Sequence, residues 1–227
     1  MSCASFCRIA ALILAALGAA QPGTAQQLPV AFPAVGQITY GRNPPGAAIC
    51  TGTLVAPDLV LTAGHCVSGS AEAPMDPADI RFAAGWSDGQ ATAISAGREA
   101  IRSGLTGMPG DTALLRLATP VAPGAAVPMR MAEEAGLEGR FTTVAYRRDA
   151  PERPVVDSGC TLIEAAAPLL GLGCTVVSGN SGAPLLVWRG GAWQVVAVMV
   201  AQSRAPGAIR AIAVIPDPGL RADIPPP

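Results

Sequence analysis

Short apolar runs, rich in β-branched residues and separated by turn formers, recur along most of the chain. VGQITY (35–40), GTLVAP (52–57), LVLTA (59–63), TALLRL (112–117), TTVAY (142–146), APLLVW (183–188) and WQVVAVMVA (193–201) read as strands with turns between them. The 26 glycines and 22 prolines supply the punctuation. Helical periodicity is scarce: AEEAGLEGR (132–140) offers one turn of helix, weakened by its glycines. The pattern therefore predicts an all-β protein, a sandwich or barrels. Pro44-Pro45-Gly46 reads as a hairpin turn, and residues 68–78 as a surface loop. The stretch LATPVAPGAAVPM (117–129) reads as a linker between two β units of similar size.

The first apolar run is of another kind. Arg8 supplies a positive charge, Ile9 to Ala20 is apolar, and small residues follow, with plausible cleavage after Ala20 or Ala25. That order is a secretory signal; a membrane span needs about 20 apolar residues. The expected organisation is a signal peptide at 1–25, a short prosegment or arm at 26–33, β units at 34–120 and 121–222, and a flexible tail at 223–227. Export to the periplasm or beyond follows, with no membrane attachment after the signal is removed. Cys3 and Cys7 leave with the signal.

Cys50, Cys66, Cys160 and Cys174 remain. Four cysteines in an exported chain allow three pairings. Proximity makes Cys50–Cys66 and Cys160–Cys174 the simplest choice, each closing a loop worth about 3 kcal/mol. One histidine and no close Cys-x-x-Cys pair argue against zinc, and no metal or cofactor is expected. All 15 basic residues are arginines, scattered without a stripe, which argues against nucleic acid as a partner. With 50% apolar and 14% charged residues, the chain suits a buried core rather than disorder.

The sole histidine, His65, ends the LVLTA run beside Cys66. As a general base it needs a nucleophile and an orienting carboxylate. Ser181, in VVSGNSGAPLL, lies among Gly179, Asn180, Gly182 and Ala183. Such small residues suit a tight turn that exposes a hydroxyl and aims the N–H groups of Gly179 and Ser181 at an oxyanion. Asp111, in PGDTALLRL, enters an apolar strand where a carboxylate wants a buried partner. The order is His, Asp, Ser; an α/β-hydrolase runs Ser, acid, His and needs alternating strands and helices.

Together CTGTLVAPDLVLTAGHCV (50–67), DTALLRL (111–117) and SGNSGAPL (178–185) resemble the three signature blocks of chymotrypsin-like serine proteases, and the resemblance covers residues 34–215. It implies two six-stranded antiparallel β-barrels with the active site in the cleft between them. His65 and Asp111 would come from the first barrel and Ser181 from the second. A family disulfide matches Cys50–Cys66 and clamps the histidine turn. The implied activity is that of a serine endopeptidase acting through an acyl-enzyme on protein or peptide substrates, as a monomer. The alternative is a protease-like secreted binding module without turnover.

Asn180 stands where vertebrate digestive members carry an aspartate that pairs with a newly released N-terminus, so no activation switch of that type is expected. In this the chain resembles bacterial glutamyl-endopeptidase-like members. By the same resemblance the substrate pocket draws on residues 175–178 and 198–202, with Thr175, Ser178, Met199, Val200 and Gln202 as its walls. Neither stretch holds an acid, and Met199 stands where a Glu-directed member carries histidine. An apolar or small residue before the cut is expected. Cys160–Cys174 is read as structural, since the only histidine is already assigned.

Overall fold

The computed structural model describes residues 32–41, 50–70, 73–133, 137 and 139–226. The signal peptide, nearly all of the proposed prosegment and the Pro44-Pro45-Gly46 turn lie outside the described residues, as does much of the 132–140 segment.

Six strands form the first barrel: β1 (Val35–Tyr40), β2 (Cys50–Ala56), β3 (Leu59–Ala63), β4 (Ile80–Ala84), β5 (Ala93–Arg102) and β6 (Thr112–Leu117). They close in the order β1-β2-β3-β6-β5-β4, every pairing antiparallel. Closure leaves no open edge. β2 and β3 are buried along their whole length, because one face fills the barrel and the other is covered.

The second unit comprises β7 (Arg130–Met131), β8 (Arg140–Arg147), β9 (Ala150–Ala166), β10 (Leu169–Leu172), β11 (Pro184–Arg189), β12 (Ala192–Gln202) and β13 (Ala211–Val214). Its order is β11-β8-β9-β10-β13-β12-β7, and β11 also pairs with β12, which closes the six longer strands on themselves. β7 adds to β12 in parallel. The chain is all-β with two packed barrels, and no helix among the described residues is long and apolar enough to cross a membrane.

Side-chain alternation along β12 joins the two units. Ala197 and Met199 face the core of the second barrel, whereas Val198 and Val200 belong to the core cluster of the first. Tyr146, at the end of β8, reaches across as well. Its hydroxyl donates to the Trp86 carbonyl at 2.8 Å. Burial holds the Tyr146 phenol well above its ordinary ionisation range, so it stays a donor. Nearby, Asp88 pairs with Arg153 at 2.7 Å, and the Asp88 N–H donates to the Glu152 carbonyl.

Segment 117–129 runs from one barrel to the other strapped onto the β2–β3 hairpin. Leu117, Val121 and Met129 donate to the carbonyls of Asp58, Pro57 and Leu54. A short helix, α1 (Pro218–Ala222), follows β13, and Asp217 caps it by accepting from the N–H groups of Gly219 and Leu220. The tail after it, expected to lie free, carries Ile224 against the core.

Candidate active site

β3 delivers the histidine. Its last residue, Ala63, leads into a 3-10 turn at Gly64–Cys66 with His65 at the centre. The turn is fastened twice. The Ser68 hydroxyl donates to the Gly64 carbonyl at 2.6 Å, and Cys66 bonds to Cys50 at the start of β2, with Cα atoms 6.1 Å apart.

Asp111 follows a 3-10 turn at Met108–Gly110 and immediately precedes β6, the ladder neighbour of β3. Both of its oxygens serve His65. Oδ2 lies 2.8 Å from His65 Nδ1, and Oδ1 accepts from the His65 backbone N–H at 2.8 Å. The carboxylate therefore fixes both the backbone and the ring of one residue. A proton held at Nδ1 for Asp111 leaves Nε2 as the acceptor. The imidazole is 45% exposed and Asp111 23% exposed, so the pair opens on solvent at Nε2 while its carboxylate is sheltered.

Ser181 enters from the second barrel, in the turn before β11. Asn180, nearly buried, builds that turn: its Oδ1 accepts from the Val177 N–H at 3.1 Å, its own N–H donates to the Val177 carbonyl, and its carbonyl accepts from Ala183. Gly179 has φ of +100°, and a β-carbon there would lie 2.3 Å from the Tyr146 carbonyl oxygen. Glycine is thus required for conformation and for space. Among the described residues, the N–H groups of Gly179 and Ser181 have no hydrogen-bond acceptor, and the Ser181 hydroxyl has no partner.

The serine turn is seated directly on the histidine strand. A β-carbon at Gly182 would lie 2.0 Å from the Thr51 carbonyl oxygen and 2.2 Å from Thr62 Oγ1. Thr51 is the residue that holds this seat. Its N–H donates to the Ser181 carbonyl at 2.8 Å. Its hydroxyl donates to the Gly179 carbonyl at 2.9 Å and accepts from the Tyr146 N–H at 2.9 Å. Its carbonyl accepts from the Thr62 hydroxyl at 2.8 Å. Sequence reasoning did not single out Thr51; the only available signal was its place directly after Cys50. No hydrogen bond joins Ser181 to His65, a contact that often tightens only when substrate is bound.

A cavity of about 210 Å³ opens beside Ser181, lined by Val176, Val177, Ser178, Asn180, Met199, Val200, Ala201 and Gln202. No charged side chain lines it. Ser178, Met199, Val200 and Gln202, four of the five residues expected as pocket walls, line this cavity. Thr175 does not: Cys174 and Val176 on either side turn into the second core, which directs Thr175 to solvent. A second cavity of about 610 Å³ adjoins His65. Cys160, on β9, and Cys174, two residues after β10, are bonded, with Cα atoms 4.5 Å apart. The ligand atoms of Cys50, His65 and Cys66 cluster within 4.8 Å, but the two sulfurs are spent on each other and offer no thiolate.

Two closed β-barrels, with an Asp-oriented histidine on one and a serine in a glycine turn on the other, define the class of two-barrel serine proteases. The Trypsin family model matches residues 21–153, more than half of the 227-residue chain, and the chain belongs to that family. The match contains His65 and Asp111 and stops before Ser181. Among solved structures, the chain is similar to a Glu endopeptidase in complex with MPD, at 20% identity over 86% of this chain and 89% of that one, with a TM-score of 0.70. It is also similar to the thermostable serine protease AL20 from an extremophilic microorganism, at 18% identity over 86% of this chain and 97% of that one, with a TM-score of 0.69. No curated protein matches the sequence.

Proposed function

We propose that the chain is an exported serine endopeptidase in which Ser181 is the nucleophile, His65 the general base and Asp111 its orienting partner. One observation carries the reading: the His65–Asp111 pair, 2.8 Å apart, stands beside the Ser181 turn that Thr51 fastens to the same barrel. In this mechanism Ser181 Oγ attacks the scissile carbonyl carbon while its proton passes to His65 Nε2. The oxyanion is received by the N–H groups of Gly179 and Ser181. His65 then gives the proton to the leaving amine, the C–N bond breaks, and an ester to Ser181 remains. Water attacks the ester, losing its proton to His65; the bond between Ser181 Oγ and the acyl carbon then breaks, Ser181 Oγ takes that proton from His65, and the acid product leaves.

The uncharged cavity beside Ser181 supports a small or apolar residue immediately before the cut, since an Arg, Lys or Glu side chain would find no counter-charge there. Asn180 spends its side chain on its own turn, which supports a site formed without an N-terminal ion pair. Two disulfides fit an oxidising destination, and residues 1–25 would be removed on export.

The test is labelling with a serine-directed phosphonylating reagent alongside hydrolysis of a casein-type substrate. Labelling at Ser181 and loss of both signals in Ser181→Ala are the expected results. A folded wild-type protein that neither labels nor hydrolyses would leave the fold without the chemistry. Profiling on a random peptide library checks the residue before the cut, and a sharp preference for Arg or Glu there would overturn the reading of the cavity. Retention of residues 26–33 should leave the enzyme active; activity only after their removal would contradict a preformed site.

A further inference from the structure

The cavity against His65 contains a charge that the mechanism does not use. His65, Asp111 and Arg102 are the charged or titratable residues lining it. The first two satisfy each other. Arg102 is exposed, and among the described residues it has no ion-pair partner, whereas Arg116, Arg147 and Arg153 each hold a carboxylate. Its position is fixed by the barrel. Arg102 is the last residue of β5 and lies opposite Ala113, which in turn lies opposite Thr62 on β3. Two strand spacings, about 10 Å, separate the Arg102 backbone from β3, the strand that leads into the His65 turn.

The rest of the cavity is amphipathic. Leu105 and Met108, on the loop between β5 and β6, line it while 47% and 43% exposed. Ala201 lines both this cavity and the smaller one beside Ser181, so the two are contiguous. A peptide whose reacting residue sits in the smaller cavity brings the residues before it past Ala201 into the larger one.

We infer that Arg102 is a specificity-determining residue that selects substrates with a carboxylate one or two positions before the residue held beside Ser181. The inference rests on the protease reading above and names its substrate class. Glutamate suits the cavity better than aspartate, because its methylenes lie along Leu105 and Met108 while its carboxylate reaches the guanidinium. Arg102 takes no part in the chemistry.

Matched peptides with Glu, Gln or Lys at those two positions test it, with kcat/KM as the readout. Because the pair is open to solvent, Glu should be favoured over Gln about two- to fivefold at low ionic strength, and the advantage should shrink towards one as salt is added. The ratio should fall to one in Arg102→Gln and invert in favour of Lys in Arg102→Glu. Arg98→Gln, an exposed arginine of the same strand outside the cavity, should keep the wild-type ratio. Equal Ser181-dependent cleavage of the Glu and Gln peptides by wild type overturns the inference and leaves the protease standing. An acid preference that persists in Arg102→Gln assigns it elsewhere and overturns it too. No hydrolysis of any peptide removes both readings.

Discussion

Replacing Thr51 with valine tests how the two halves of the site are held together. Valine keeps the shape of the side chain and removes only the hydroxyl. Thr51 is fully buried, and so are Gly179 and Tyr146, the residues its hydroxyl bonds. The substitution leaves the Gly179 carbonyl and the Tyr146 N–H without partners. Each orphaned buried group costs about 1–3 kcal/mol, so the pair costs about 2–6 kcal/mol. For a domain of this size that lowers Tm by about 4–24 °C. The same change frees the Gly179–Asn180 peptide, which lies between the Gly179 and Ser181 N–H groups. Shifting an oxyanion donor by about 1 Å costs up to 100-fold, so kcat should fall about 10- to 100-fold, with KM changing less. Thr51→Ser restores the hydroxyl and should recover most of both losses. Calorimetry with steady-state hydrolysis of one peptide reads all three proteins. A Thr51→Val enzyme with kcat within about twofold of wild type and a lowered Tm would show that Thr51 stabilises the fold without positioning the site.

The two disulfides should separate by function. Replacing Cys160 and Cys174 together with serine should cost about 3 kcal/mol in urea denaturation and leave kcat within a few-fold, whereas the Cys50–Cys66 double replacement should cost as much stability and far more activity, because it frees the His65 turn. Asn180→Ala removes the acceptor for the Val177 N–H and should cost about 1 kcal/mol with a measurable loss of kcat; unchanged kinetics would remove Asn180 from the serine turn's support. Asp88 is held below its ordinary value of 3.8, first by its hydrogen bond to Arg153. A depressed acid contributes stability above that ordinary value and loses it as pH falls through the lowered one. The Tm gap between wild type and Asp88→Asn should therefore be present near neutral pH and close in strong acid; a gap that widens on acidification would reverse the assignment.

What the sequence makes legible depends on whether a role belongs to a side chain or to an address. The runs 59–63 and 112–117 coincide with β3 and β6, because both strands are almost wholly apolar. β5 and β9 escaped notice. β5 places Arg98 and Glu99 outward and packs Gly97 inward, and β9 contains Pro151, Glu152, Asp157, Ser158 and Gly159, so neither has an apolar signature. They are strands because β6 and β8 offer backbone partners along their length, and backbone pairing is silent in composition. The site divides in the same way. His65, Asp111 and Ser181 could be picked out because a base, an acid and a hydroxyl can be weighed as chemistry before any fold is known. Thr51 could not, since 128 residues separate it from Gly179 and 95 from Tyr146. Yet positions 50 and 51 bear on both halves of the site at once. The bridge from Cys50 sets the histidine turn, and the hydrogen bonds of Thr51 set the serine turn. The relative placement of His65 and Ser181 therefore draws on the first two residues of β2 as well as on the contact between the barrels. A lesion there should disturb catalysis out of proportion to its effect on the core.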